Sequence, residues 1–468
     1  MTHVNMLHLL NASVFQAEPG RLLIFSVLGI ALLLFLIMYC KLHALLSILI
    51  SAIFIGLGVG MSFEMILASV NTGIGSTLQG IALLVGIGSM FGAVLELSGG
   101  VEVVANKLVK TFGEKKAPFA LGIAGLLIGI PVFFDAALII LIPLAMGIAR
   151  KTKKSVLFYA IPLLAGLSIA HAFIPPTPGP IIVASTLGVD LGFVILIGIL
   201  CGAVSMFVSG PIYGNYIAKK IYIAPTEQEV PAVDKNAKPK KLPSVGAIIG
   251  IILIPIVLIL ANTVTTALVN GGNEHLVGVH AVFSFLGTPF VALLISTLFA
   301  MVFLGFVNGY SREELLTVMS KSLTPTGMIL LVTAGGGVLR FIFQDSGIGH
   351  VMSDFVADYN MPIILVAFLI AALIRISVGS ATVSMMMAAG IIASMPMITG
   401  LSQIQLACVT MAIAGGATVA SHFNDSGFWL VKSLFNIDEK TTLKTWTTLA
   451  TINGVVGFVV AWVIFLIA

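Results

Sequence analysis

The stretch PFALGIAGLLIGIPVFFDAALIILIPLAMGI, Pro118 to Ile148, carries a single charge, Asp135, and is bounded by basic residues on both sides. Lys107, Lys110, Lys115 and Lys116 precede it, and Arg150, Lys151, Lys153 and Lys154 follow it. One membrane crossing takes about 20 apolar residues, and loops rich in Lys and Arg stay in the cytoplasm. A longer run with both ends on one face has to enter, turn and leave. The turn falls at IPVFFDA, Ile130 to Ala136, where Pro131 breaks a helix. The segment 118–148 is therefore expected to be a re-entrant hairpin, tolerated at membrane depth only where protein or a cavity surrounds it.

The rest of the chain fits that reading. Of 468 residues, 59% are hydrophobic and 9% charged, and the mean hydropathy is +1.14. So few charges cannot cover a water-soluble globule of this length. The expectation is an all-α polytopic membrane protein of about 10 full spans plus 2 hairpins. Apolar runs of spanning length recur at Leu22–Tyr39, Ala44–Gly60 and Leu78–Leu95, and onward to Ala468. The first is too long for a signal-peptide core, so it is read as a retained span. Cys40, Cys201 and Cys408 stand apart with no CxxC spacing, which suggests small hydrophobes rather than a metal or redox site. The formal charge of +4 comes largely from loop lysines and speaks of orientation, not of nucleic acid.

The longest hydrophilic stretch, 218–243, carries Lys219, Lys220, Lys235, Lys238, Lys240 and Lys241 and reads as a cytoplasmic linker between two halves, 1–217 and 244–468. Both termini are then periplasmic. Ser62–Leu97 lies without a gap over Ser311–Ser346, matching Glu64 to Glu313, Gly86 to Gly335, Gly88 to Gly337 and Glu96 to Asp345. Further on, IPVFFDAAL meets ISVGSATVS (Ile376–Ser384), and AHAFIPPTPGP (Ala170–Pro180) meets SHFNDSGFWLV (Ser421–Val431), pairing His171 with His422. The second half should thus hold a hairpin at about 361–398. Yet the loop before it, Asp345–Asn360, has three aspartates and no Lys or Arg. It belongs outside. The halves are expected to be inverted-topology repeats, whose substrate site lies near the membrane midplane between broken helices.

Ionisable groups inside a membrane cost about 2.5–3.5 kcal/mol on insertion scales and are functional candidates by default. Asp135 sits at the first hairpin turn, as a functional carboxyl or as a helix cap. Arg375, just before the second turn, could hold a substrate carboxylate or pair with Asp135. FIPPTPGP, Phe173–Pro180, cannot remain helical with four prolines, so a break at about 171–180 exposes carbonyls, and a helix restarting near Pro180 offers its positive end to an anion. In SHFNDSGFW, Asn424, Asp425 and Ser426 are strong N-cap types, so a second break at about 421–428 should end with a helix restarting at Gly427–Trp429. Gly379, Ser380 and Thr382 put small hydroxyl donors at the second tip. HExxH, GxSxG, GxGD and Walker loops are absent, which leaves a protease or nucleotide-driven pump without support. A channel, or an enzyme acting on a lipid-linked substrate, would remain as other classes.

IPVFFDAALIILIPLA, AHAFIPPTPGP and GGATVASHFNDSGFWLVK (Gly415–Lys432) resemble the hallmarks of the gluconate permease family, and the likeness covers essentially the whole chain. It implies a multi-pass secondary transporter of the bacterial inner membrane that imports gluconate or a related small hydroxy acid with protons and needs no cofactor or metal. Members of that family also carry D-serine, idonate and other sugar acids. The wider ion-transporter superfamily it resembles forms homodimers and moves its hairpin domain as an elevator. The expected substrate contacts are Asp135, Thr177, Arg375, Ser380, Thr382, His422, Asn424, Asp425 and Ser426. The candidates for carrying the proton are Asp135, Asp425 and His171.

Overall fold

The computed structural model describes residues 18–225 and 241–468. The extreme N-terminus, whose periplasmic location the charges suggest, and Lys235, Lys238 and Lys240 of the linker lie outside the described residues. The first half contains α1 (Pro19–Met38), α2 (Ala44–Val59), α3 (Phe63–Leu97), α4 (Gly100–Phe112), α5 (Ala117–Gly129), α6 (Phe134–Thr152), α7 (Leu157–Phe173), α8 (Pro178–Leu187), α9 (Leu191–Phe207) and α10 (Tyr213–Lys220). The second contains α11 (Val245–Asn270), α12 (Val277–Leu286), α13 (Pro289–Phe299), α14 (Arg312–Asp345), α15 (Ile348–Asp358), α16 (Ile363–Val378), α17 (Ala381–Ala393), α18 (Gln403–Gly416), α19 (Ser426–Phe435), α20 (Glu439–Thr442) and α21 (Thr448–Ile467).

No strand occurs among the described residues, as lipid demands of a chain that must satisfy its own backbone groups. Among the described residues, eight helical segments are long and apolar enough to cross a membrane, or up to nine if α15 and α16, bent by 118° at their junction, count as one. The number expected from apolar runs is higher; the apolar helices α2 (Ala44–Val59, 16 residues) and α18 (Gln403–Gly416, 14 residues) each fall short of a crossing by themselves. Large apolar side chains such as Val27, Leu83, Val257 and Val463 are exposed on outward faces and suit lipid contact. Cys201 and Cys408 are buried as small hydrophobes, whereas Cys40 is exposed.

The two aligned segments, Ser62–Leu97 and Ser311–Ser346, form the long helices α3 and α14, of 35 and 34 residues. Each opens on a serine cap: Ser62 Oγ accepts from Met65 N at 3.2 Å, and Ser311 forms a capping box with Glu314. The helices lie against each other so closely at Gly73 that an added Cβ would sit 2.7 Å from the Val338 backbone. Without a hydrophobic force between helices in lipid, such small-residue contacts hold the pair.

Four interruptions shape the centre. α5 stops at Gly129 and α6 restarts at Phe134, beyond Pro131. α7 stops at Phe173 before the prolines, and α8 restarts at Pro178. α16 ends on Gly379, whose φ of +81° is left-handed backbone that favours glycine, and α17 follows at once. α18 stops at Gly416, and a polar loop leads to α19, capped by Asp425. α5 packs on α7, and α16 packs on α18. α8 packs on α17, and these two also lie against α3 and α14 respectively. α6 and α19 touch each other but have no comparable packing against the long pair.

Candidate functional site

The interruptions converge on one cavity of about 360 Å³. Its wall is formed by the first turn of α6 (Phe134, Asp135), the tip of the second hairpin segment (Gly379–Thr382), the start of α19 (Asn424–Gly427), Ser168 and His171 of α7, Thr418 and Trp446. The N-termini of α6, α17 and α19 thus face the same space, and orphan N–H groups at helix starts favour an anion.

Arg375, in the last turn of α16, is 4% exposed and is held at both ends of its fork. Nη1 donates to Gly379 O and Nη2 to Asp425 Oδ2. Of the partners the sequence offers this arginine, Asp135 is not the one taken. Asp425 is claimed from several directions: Ser421 Oγ donates to Oδ2, Gly427 N donates to Oδ1 at 3.1 Å, and Arg375 supplies the charge. Trp446 Nε1 donates to Ser421 Oγ at 2.7 Å, extending the chain from Arg375 through Asp425 and Ser421 to the region before α21. A desolvated ion pair with this many partners is costly to break from one side.

The polar loop also clasps the end of α16. His422 Nε2 donates to Ile376 O at 2.9 Å, and Asn424 Nδ2 donates to Ile376 O at 2.8 Å and Ser377 O at 3.2 Å. These carbonyls belong to the last turn of a helix and have no intrahelical partner. His422 is consumed by that task and is not among the residues lining the cavity, while Asn424 both holds the tip and lines the space. Ser380 is the N-cap of α17, accepting from Val383 N at 3.4 Å, and Thr382 and Ser426 stand in the cavity wall.

Asp135 differs from Asp425 in having no such partners. It follows the N-cap residue Phe133 without making a side-chain cap, and it faces the cavity with neither hydrogen bond nor ion pair among the described residues. It lies within electrostatic reach of Asp425. His171 lines this cavity and also a small neighbouring one beside Pro176 and Pro178; its Nδ1 is buried without a hydrogen-bond partner. Thr177 lines only the neighbouring pocket and donates to Ile174 O at 2.7 Å, tying off a carbonyl at the end of α7. Nothing in the sequence singles out Ser168, Thr418 or Trp446, which look like ordinary helix residues until the breaks bring them together. No group of three or more metal-ligating side chains occurs among the described residues.

Residues 21–467 match the family described as GntP family permease. This chain belongs to that family. It is accordingly a multi-pass membrane permease and not an enzyme. Its relatives include a low-affinity gluconate transporter of Escherichia coli K12, 36% identical over 95% of this chain and 98% of the relative. A gluconate permease of Bacillus subtilis is 36% identical over 93% and 97%. An L-idonate transporter of Escherichia coli K12 is 32% identical over 93% and 97%. Among solved structures, the YdaH transporter of Alcanivorax borkumensis superposes with a TM-score of 0.58 at 15% identity, covering 84% of this permease and 87% of that chain. MtrF of Neisseria gonorrhoeae gives 0.56 at 15%, covering 85% and 83%. At such low identity the two structures speak for the fold.

Proposed function

We propose that this permease imports gluconate, or a sugar acid close to it, together with a proton across the bacterial inner membrane. The substrate class rests on relatives named for gluconate and idonate transport. The observation that carries the mechanism is the cavity: three helix N-termini and the Arg375 fork surround it, and Asp135 faces it unpaired. The helix starts and Arg375 suit a carboxylate, and Ser380, Thr382, Asn424 and Ser426 suit the hydroxyls.

Charge counting links proton to anion. Arg375 and Asp425 cancel, which leaves Asp135, when ionised, as a lone negative charge facing any incoming carboxylate. A proton on Asp135 removes that repulsion, so anion and proton each favour the binding of the other. Asp425, committed to Arg375, Ser421 and Gly427, is the holder of the site, and Asp135 is the carrier. His171, with its free Nδ1, is placed to exchange the proton with water that enters the cavity.

The inverted repeat belongs to the same proposal. It is supported by the lysine distribution and by the recurring order of long helix, short helix, interrupted pair and broken helix in α3–α8 and α14–α19. In this reading 118–148 and 361–398 are re-entrant hairpins approaching from the cytoplasm and the periplasm. The 218–243 linker is cytoplasmic, and the molecule works as a homodimer by analogy with its superfamily. Uptake of labelled gluconate into proteoliposomes, with idonate and D-serine as competitors, tests the assignment. Accumulation that follows an imposed pH gradient and is competed by idonate supports it; competition by D-serine alone would move the substrate to the amino acid.

A further inference from the structure

Above the main cavity, between the long helices and the α8–α17 pair, is a second polar cluster that takes no part in the contacts around Asp135 and Arg375. Arg340 of α14 faces a small pocket with the hydroxyls of Thr77, Thr186 and Thr333. Among the described residues it forms no ion pair, its Nε is buried without a hydrogen bond, and its contact is with the Phe341 ring, 5.6 Å from the centroid. A guanidinium kept within a spanning helix and given no carboxylate calls for a partner. The pocket, about 10 Å³, has room for about one water. It is roofed by Gly390 of α17, where an added Cβ would lie 3.4 Å from the Cβ of Arg340. Gly390 is ten residues beyond Ser380, or about 15 Å along the helix at about 1.5 Å per residue, so the cluster lies well away from the tip.

The two sides of the molecule differ at this level. α8 and α17 lie against α3 and α14, while α6 and α19 do not do so to the same extent, so the side of α8 and α17 is the closed one. Under the proposed topology that side faces the periplasm. Anything arriving from there needs α8 and α17 to part from α3 and α14, which uncovers Arg340. The aligned repeats offer no equivalent on the other side, because the position matching Arg340 is Phe91, fully buried at 1% exposure. A cation on the closed side alone suits a protein that collects anions from one direction.

We propose that Arg340, with the hydroxyls of Thr77, Thr186 and Thr333, forms a transient receiving site for the carboxylate of the incoming hydroxy acid on the external side of the main cavity. This site rests on the import reading. The test measures initial rates of labelled gluconate transport in vesicles of both orientations for wild type, Arg340→Gln, Arg340→Lys and Thr186→Val. From the periplasmic side Arg340→Gln should raise KM about ten-fold or more with little change in maximal rate, and Arg340→Lys should fall between it and wild type. From the cytoplasmic side KM should be unchanged. An unaltered KM from outside, or an equal rise from both sides, overturns the proposal. Should Arg340→Gln fail to reach the membrane, Thr186→Val decides in its place, with the same one-sided rise expected and the same outcomes against. Wild-type vesicles that move no gluconate would instead defeat the assignment of substrate, independently of Arg340.

Discussion

Replacing Arg375 with lysine keeps the positive charge and removes the fork. In the wild type one end of the guanidinium holds Gly379 O and the other holds Asp425, so the hairpin tip and the start of α19 are fixed to each other through one side chain. A lysine has one nitrogen and cannot serve both places at once. One charge-assisted hydrogen bond is lost, a net cost of about 1.5–3 kcal/mol. Expressed fully in substrate binding, that is roughly a ten-fold to hundred-fold rise in KM. Part of it should appear as a lower Tm, because the tip also frames the protein without substrate. The assay pairs thermal unfolding of the purified protein in detergent, with and without gluconate, with initial rates of proteoliposome uptake. Arg375→Gln serves as the more severe control, since an uncompensated Asp425, 14% exposed, costs about 3–5 kcal/mol. If the lysine variant has wild-type Tm and wild-type KM, the fork does not organise the site.

Asn424→Ala removes the bonds to Ile376 O and Ser377 O and leaves helix-end carbonyls short of a donor, at about 1–3 kcal/mol; KM should rise roughly ten-fold, and normal uptake at normal membrane levels would move the site elsewhere. Gly73→Ala forces a Cβ against the Val338 backbone and should destabilise the α3–α14 pair by about 1–3 kcal/mol, read as a lower Tm; an unchanged Tm would mean that the two helices can part freely. On a cysteine-free background, Lys115→Cys and Lys151→Cys should both be shielded from an impermeant external thiol reagent, while Asp358→Cys should react. Labelling at 151 but not at 115 would replace the first hairpin with a simple span.

Much of this arrangement can be read in the sequence, and the reasons are local. Pro131 and the prolines of FIPPTPGP interrupt helices by covalent geometry, so two breaks fall where those residues stand; the third, at Gly379, is placed by its alignment with the first turn. Asn424, Asp425 and Ser426 are all N-cap types and point to a restart at Gly427–Trp429; the cap is Asp425, whose Oδ1 accepts from Gly427 N, and the helix begins one residue earlier, at Ser426. Bonding across the breaks is different, since it depends on which chain ends meet. Arg375 has Asp135 or a ligand as candidates in the sequence, and the loop from α18 delivers Asp425 instead. His171 and His422 align in the sequence, yet His422 ties down Ile376 O while Nδ1 of His171 has no partner. Matching places in a sequence alignment do not guarantee equal surroundings once the chain has packed. Trp446 reaches the site from a π-helical turn, Leu443–Thr447, that no sequence period reveals.

The proposed coupling to protons turns on Asp135. Asp135→Asn keeps the size and polarity of the side chain at the start of α6 and abolishes its ability to gain and lose a proton. The direct measurement is made twice on the same proteoliposomes: accumulation of labelled gluconate driven by an imposed pH gradient, and counterflow, in which labelled substrate exchanges with unlabelled at equal pH. The asparagine variant should lose accumulation and retain counterflow. If it still concentrates gluconate with the wild-type dependence on pH, the proton travels through another residue and Asp135 is not its carrier.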